Sequence, residues 1–253
     1  MASAPTSKAV ATKSPSMTLK GHRDLIQSIS YFPDSQRIIS GSWDKTTRQW
    51  DLKVGKEIEE ARGVCEGQVW AVAVSKDGRW VVTASGGDGD RAELKACEVE
   101  TGIVRTFEGH SRRINCIDIS TDNTLLASGS EDKTTRIWNL GTGKLVAGPF
   151  RGMGAVRFST DSKKLAVMSW LGMCLEVRDV QSQKLDAKIG EFGGIGSTYK
   201  PAVCWTKNNK TIIAPFNFVT NDDARTIHDP VNSSLPSTLK ILGSLSSHPT
   251  RTN

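Results

Sequence analysis

The chain has 253 residues, 24% of them charged, and a formal net charge of +6. No apolar run reaches the roughly 18 residues that a membrane helix needs, and the opening MASAPTSKAVATKSPSMT lacks the apolar centre of a signal peptide. An intracellular protein, cytoplasmic or nuclear, is therefore expected, with no membrane partner. Lys and Arg are spread along the chain rather than blocked. An excess of that kind serves solubility more often than nucleic-acid binding, so nucleic acid is not expected as the main ligand.

Residues 1–16 are rich in Ala, Ser, Thr, Lys and Pro, and a disordered tail is expected there. From Gly21 to Asp51 the chain reads GHRDLIQSISYFPDSQRIISGSWDKTTRQWD. Strands are expected at Ile26 to Tyr31, Arg37 to Ser42 and Thr46 to Trp50, with a weak outermost one near Lys56 to Ile58. Turn residues separate them: Pro33-Asp34, Asp44-Lys45 and Val54-Gly55. Ile26 and Ile29 are three apart, where strict alternation gives an even step. One extra residue implies a β-bulge. The same step recurs at Val69 to Val72 and Ile114 to Ile117.

A second unit, VCEGQVWAVAVSKDGRWVVTASGG, begins at Val64, with Asp77 in the place of Asp34. Cys65 stands where the first unit has His22, and Cys97-Glu98 where it has Trp50-Asp51. The third, GHSRRINCIDISTDNTLLASGSEDKTTRIWN, runs from Gly109 to Asn139 and repeats the first at an offset of 88 residues without a gap. A fourth, GPFRGMGAVRFSTDSKKLAVMSW, begins at Gly148, with Pro149 for the histidine and Arg178-Asp179 for Trp-Asp. A fifth is faint: Val203 to Asn208, Thr211 to Ala214 and Thr226 to Asp229 fit its first three strands, and Leu239 to Leu242 its outer one. The repeat region spans 17–242, in units of about 21–62, 63–107, 108–147, 148–191 and 192–242. Residues 243–253 are expected as a loose tail.

Four-stranded units of roughly 44 residues with Gly-His and Trp-Asp ends resemble the WD-repeat (WD40) family. The resemblance implies an all-β propeller of four-stranded blades around a central channel. It also implies a buried hydrogen-bonded set in each complete unit: His22, Ser40, Asp44 and Trp50 in the first, His110, Ser128, Asp132 and Trp138 in the third. A Ser-His-Asp hydrolase triad is the competing reading. The set recurs twice, ends on Trp, and is accompanied by no G-x-S-x-G elbow, which suits a structural staple. No catalytic residue, cofactor or metal is expected. The four scattered histidines have no zinc spacing, and the five cysteines, odd in number with no C-x-x-C pair, read as small buried hydrophobes.

In the family, partners dock on the narrow face near the channel mouth. The matching positions are Leu25, Gln27 and Trp43 in the first unit, Gln68 and Trp70 in the second, and Arg113, Asn115 and Glu131 in the third. Trp170 aligns with Trp43 in the fourth. Tryptophan and arginine are frequent anchors of interfaces, although a strand Trp more often packs than binds. Some family members that serve ubiquitin ligases carry Trp-Asp-x-Arg; here Trp50-Asp51-Leu52-Lys53 and Trp138-Asn139-Leu140-Gly141 lack the Arg.

A seven-blade ring at this period needs roughly 290 residues, and the repeat region has about 220. Five units therefore close an unusual ring, form an open arc completed by a second copy or another propeller, or are an incomplete gene product with exposed edges prone to aggregation; the open or incomplete form is expected. Met17-Thr18-Leu19 is expected as an outer strand of a last blade. The function expected is a non-catalytic scaffold for other proteins or peptides, through the rim and channel face. The alternative is a nucleic-acid-associated WD protein of an RNA-processing or chromatin particle.

Overall fold

A computed structural model describes residues 17–58, 62–63, 65–87, 91–152, 154–169, 174–190, 203–209, 211–214 and 240–242. Among them there is no helix. The strands fall into five sheets that follow one another in chain order. The first holds β1 (Ile26–Tyr31), β2 (Arg37–Ser42), β3 (Thr46–Asp51) and β4 (Lys56–Glu57), and β5 (Arg62–Gly63) shares the outer edge of β3. The second holds β6 (Val69–Val74), β7 (Trp80–Ser85), β8 (Glu93–Glu98) and β9 (Val104–Thr106). The third holds β10 (Ile114–Ile119), β11 (Leu125–Ser130), β12 (Thr134–Asn139) and β13 (Leu145–Arg151). The fourth holds β14 (Val156–Phe158), β15 (Lys164–Met168), β16 (Cys174–Asp179) and β17 (Leu185–Gly190). All four are antiparallel meanders.

The bulges expected from the apolar spacing are present. Register shifts fall between Ile26 and Ser28, Val69 and Ala71, and Ile114 and Cys116. Each shift turns the apolar side chains on either side of it to one face of the strand. The second strand of the preceding sheet packs there in β6 and β10, Ile39 against Val69 and Val72 and Val82 and Ala84 against Ile114; Ala127 packs in the same way against Val156 and Phe158 of β14, which pairs without a register shift. Gly41 makes the first of these contacts close. A Cβ on it would stand 2.5 Å from a Val69 methyl.

Two features depart from the sequence reading. Gly148–Arg151, expected to open the fourth unit, instead ends the third unit's outer strand, where Thr134 pairs with Arg151 and Thr135 with Phe150. In the fifth sheet, β18 (Cys204–Trp205) pairs antiparallel with β19 (Thr211–Ile213), and β20 (Lys240–Leu242) lies directly beside β19 in parallel. It was expected as an outer strand, one place further out. A parallel neighbour needs a long crossover, and the stretch before Lys240 supplies the length. The third strand expected at Thr226 to Asp229 lies outside the described residues, as do the tails at 1–16 and 243–253. Residues 17–20 form no strand: Met17 rests against Gly55, at the first unit's own outer turn.

The inter-sheet turns carry a clamp that the sequence reading missed. Asn123, Ser162 and Asn209 occupy the left-handed region, with φ of 60°, 61° and 56°. Each accepts a backbone hydrogen bond from the preceding unit's turn: from Lys76 N–H at 2.8 Å, Thr121 N–H at 2.9 Å and Thr160 N–H at 2.7 Å. Short polar residues tolerate that backbone region and reach neighbouring amides from it.

Candidate functional site

The first and third units contain the same buried hydrogen-bond chain. Trp50 Nε1–H donates to Ser40 Oγ at 2.8 Å, and Ser40 Oγ lies 2.7 Å from His22 Nε2. His22 Nδ1 lies 2.9 Å from Asp44 Oδ2. A carboxylate only accepts, so Nδ1 carries a proton, and a neutral ring then accepts from the serine at Nε2. Protons thus run in one direction, from indole to hydroxyl to imidazole to carboxylate. In the third unit the same chain runs Trp138 to Ser128 at 2.9 Å, Ser128 to His110 at 2.8 Å and His110 to Asp132 at 2.8 Å. Burial pushes both carboxyls up, but hydrogen bonds outweigh it. Thr46, Arg23 N–H and His22 hold Asp44 well below the usual carboxylate range. His110, Thr134 and Ser111 N–H do the same for Asp132. Each Ser Oγ accepts the indole proton and is held inside the sheet, so neither set presents a nucleophile to a substrate.

The rim residues come together across three sheets. Backbone bonds of one kind place them in register: Trp43 N–H to Leu25 C=O, Gly86 N–H to Gln68 C=O, and Glu131 N–H to Arg113 C=O. Trp43 and Trp70 pack against each other with ring centroids 5.1 Å apart and planes tilted by 43°. Arg113 lays its guanidinium 4.6 Å from the Trp70 ring centre and pairs through Nε with Glu131 at 2.6 Å. Gly86, in the place of Trp43, makes this approach feasible. A Cβ there would stand 2.5 Å from the Arg113 Cα. Trp70 is only 7% exposed, and its indole N–H is bonded to Gly86 C=O at 2.8 Å. It supports the rim from beneath rather than standing on it. Trp43 is half-buried and not fully exposed as its turn position suggested. Leu25 is exposed; Gln27 and Gln68 are half-buried. Trp170 lies outside the described residues.

Gln27, Trp70 and Asn115 occupy the bulge in three successive sheets, and all line one cavity of about 420 Å³ between the inner strands. Asn115 is 4% exposed, and neither its Oδ1 nor its Nδ2 has a hydrogen-bond partner; the same holds for Trp43 Nε1. In the same cavity wall, Asp118 pairs with Arg157 at 2.8 Å. Among the described residues, no three His, Cys, Asp or Glu side chains group to hold a metal ion.

The family model for the WD domain, G-beta repeat, matches residues 13–51, 60–90 and 102–139. The chain carries repeats of the WD type. It is 33% identical over 128 residues to a guanine nucleotide-binding protein subunit beta of Zea mays, across 48% of this chain and 34% of that one. It is also 31% identical over 137 residues to a ribosome biogenesis protein WDR12 homolog of Drosophila virilis, across 52% of this chain and 31% of that one. The match thus spans about a third of these relatives' length. The first four sheets, three of four strands and one with β5 added, are blades of the WD type.

The worn units replace the buried chain with other groups. In the second, Cys65 offers only a weak thiol contact to Thr83 at 3.8 Å. Glu93, which sequence reading passed over, accepts from Glu66 N–H at 2.9 Å, much as Asp44 accepts from Arg23 N–H. In the fourth, Arg178 takes the Trp place, pairs with Glu176 at 2.7 Å and lies over the Phe150 ring. Neither unit ties its first-strand approach to its third strand through a buried imidazole. Amides of β7 and β15 are therefore expected to exchange with deuterium faster than those of β2 and β11, by roughly tenfold or more for each 1.4 kcal/mol of local stability lost. Equal protection in all four strands would contradict this.

Proposed function

We propose that this protein is a non-catalytic scaffold of the cytoplasm or nucleus, and that a protein or peptide partner docks over Trp43, Arg113 and Glu131, the residues gathered around Trp70 at the rim. One observation carries the reading. Both ends of the Asn115 amide are buried and unpaired in the cavity wall, and Trp43 Nε1 is buried and unpaired at the rim next to Trp70. In the same two blades Thr135 Oγ1 is also buried without a partner, while Arg48 Nε and Glu57 Oε1 belong to side chains that pair through their other atoms. A buried polar group without a partner costs about 1–3 kcal/mol. An amide that offers one donor face and one acceptor face matches the main-chain amide of an extended segment. Trp43, half-buried, adds a flat aromatic surface of the kind found at interface anchors. A second copy of the chain or another propeller belongs to the same class of partner, at a different surface.

The alternative is a nucleic-acid-associated WD protein. The Glu131 carboxylate beside Arg113 favours a polypeptide over a phosphate backbone at this rim. A photo-crosslinking residue at position 43 of the full chain, with one at exposed Val54 as control, tests the proposal in cells. Discrete protein adducts from position 43 alone, resistant to nuclease, support it. Nuclease-sensitive adducts move the reading to the alternative, and identical adducts from both positions overturn it.

A further inference from the structure

Each blade meets the next through one repeated contact. The second strand of one blade covers one apolar face of the following inner strand, as Ile39 and Gly41 cover Val69 and Val72. Val82 with Ala84 and Ala127 play that part in the next two contacts, and Ala166 with Met168 against Val203 in the last. All of these side chains are buried. At the two ends of the series the same positions are bare. Ile26, Ile29 and Tyr31 align with Val69, Val72 and Val74 by register, and they are 52%, 57% and 61% exposed. At the far end, Ile213 pairs beside Trp205 as Ile39 pairs beside Tyr31, and it is 46% exposed. One chain therefore presents both halves of a contact it already makes four times.

The turn clamp points the same way. Ser35 has the left-handed φ of 56° found at Asn123, Ser162 and Asn209, the three residues that accept from the preceding blade. It stands at the same turn of the first blade, on the same side as the bare β1 face.

We propose that the bare face of β1 binds the Ile213 face of a second copy of this chain. The contact is head-to-tail and continues the blade series from one copy to the next. The two patches differ, so the contact is heterologous: it closes into a ring if the rotation per copy allows and otherwise extends. Apolar β-branched and aromatic side chains on β1 meet an isoleucine across a sheet-to-sheet contact, with Ser35 placed to accept a backbone N–H. This deepens the reading of self-association given above and does not depend on the rim.

Light scattering of the full chain over a range of concentrations tests it with two variants, Ile29→Glu and Ile213→Glu. Both sites are exposed, so each variant is expected to melt as the unaltered chain does. The unaltered chain is expected to exceed its monomer mass of 27.5 kDa as concentration rises. Each variant alone is expected to stay monomeric. An equimolar mixture of the two is expected to stop at the dimer, because one copy retains each intact face. A monomer at all concentrations overturns the proposal, and so does assembly that survives either variant or a mixture that stays monomeric. Trp43→Ala is expected to leave the mass unchanged, so a failed rim and a failed end contact give different results.

Discussion

Trp138→Ala is expected to remove about 3–5 kcal/mol of stability, a large share of the 5–15 kcal/mol that holds a typical domain together. Trp138 is buried in the largest apolar cluster, with Leu94, Leu126 and Leu140, and its ring meets Phe107 edge-on at 5.8 Å. Its indole N–H begins the chain that runs through Ser128 and His110 to Asp132. Truncation opens a cavity and leaves the serine without its donor. Trp138→Phe keeps most of the packing and removes only the donor, and is expected to cost about 1–3 kcal/mol. Urea denaturation of the two variants checks the pair. A loss below 1 kcal/mol for the alanine variant contradicts the staple role assigned to this residue.

Acid is the second large effect. Asp44 and Asp132 are held well below the usual carboxylate range by the hydrogen bonds they accept, against the cost of burial. A carboxyl whose folded pKa is depressed contributes stability that is present above its unfolded pKa, about 3.9, and lost as pH falls toward the folded value. Each of the two is expected to contribute roughly 2 kcal/mol at neutral pH. Stability should therefore fall steeply below about pH 4, with little change from these groups between pH 5 and 8. The double variant Asp44→Asn and Asp132→Asn should start less stable and show a shallower acid slope. Thermal melts across pH 2.5–7 read this out. An unchanged acid slope in the double variant would show that other carboxylates dominate acid unfolding.

Much of the fold was legible because the units break the rules of a plain strand at the same place. The three-residue step at Ile26, Val69 and Ile114 predicted the bulges, and Gly-His with Trp-Asp predicted the buried chains. Contacts between units were not legible. Trp70 looks like a surface anchor in its own unit, yet it is covered by Arg113 from the following one, through a glycine at position 86 that spacing alone does not explain. Glu93 was hidden because a carboxylate on the third strand does the work that a turn aspartate does elsewhere. The clamps at Asn123, Ser162 and Asn209 were readable only as turn residues; their partners lie more than forty residues away or nearly so. The fifth unit departed most, because β20 pairs in parallel and so carries no meander signature.

The proposed rim site rests on the unpaired Asn115 amide and Trp43 Nε1. Asn115→Leu tests it most directly, by measuring unfolding in urea and cross-linking from position 43 on the same variant. The account predicts a chain more stable by about 1–3 kcal/mol, because the orphan amide is gone, together with loss of the position-43 adducts. A less stable chain, or adducts that persist unchanged, would contradict it.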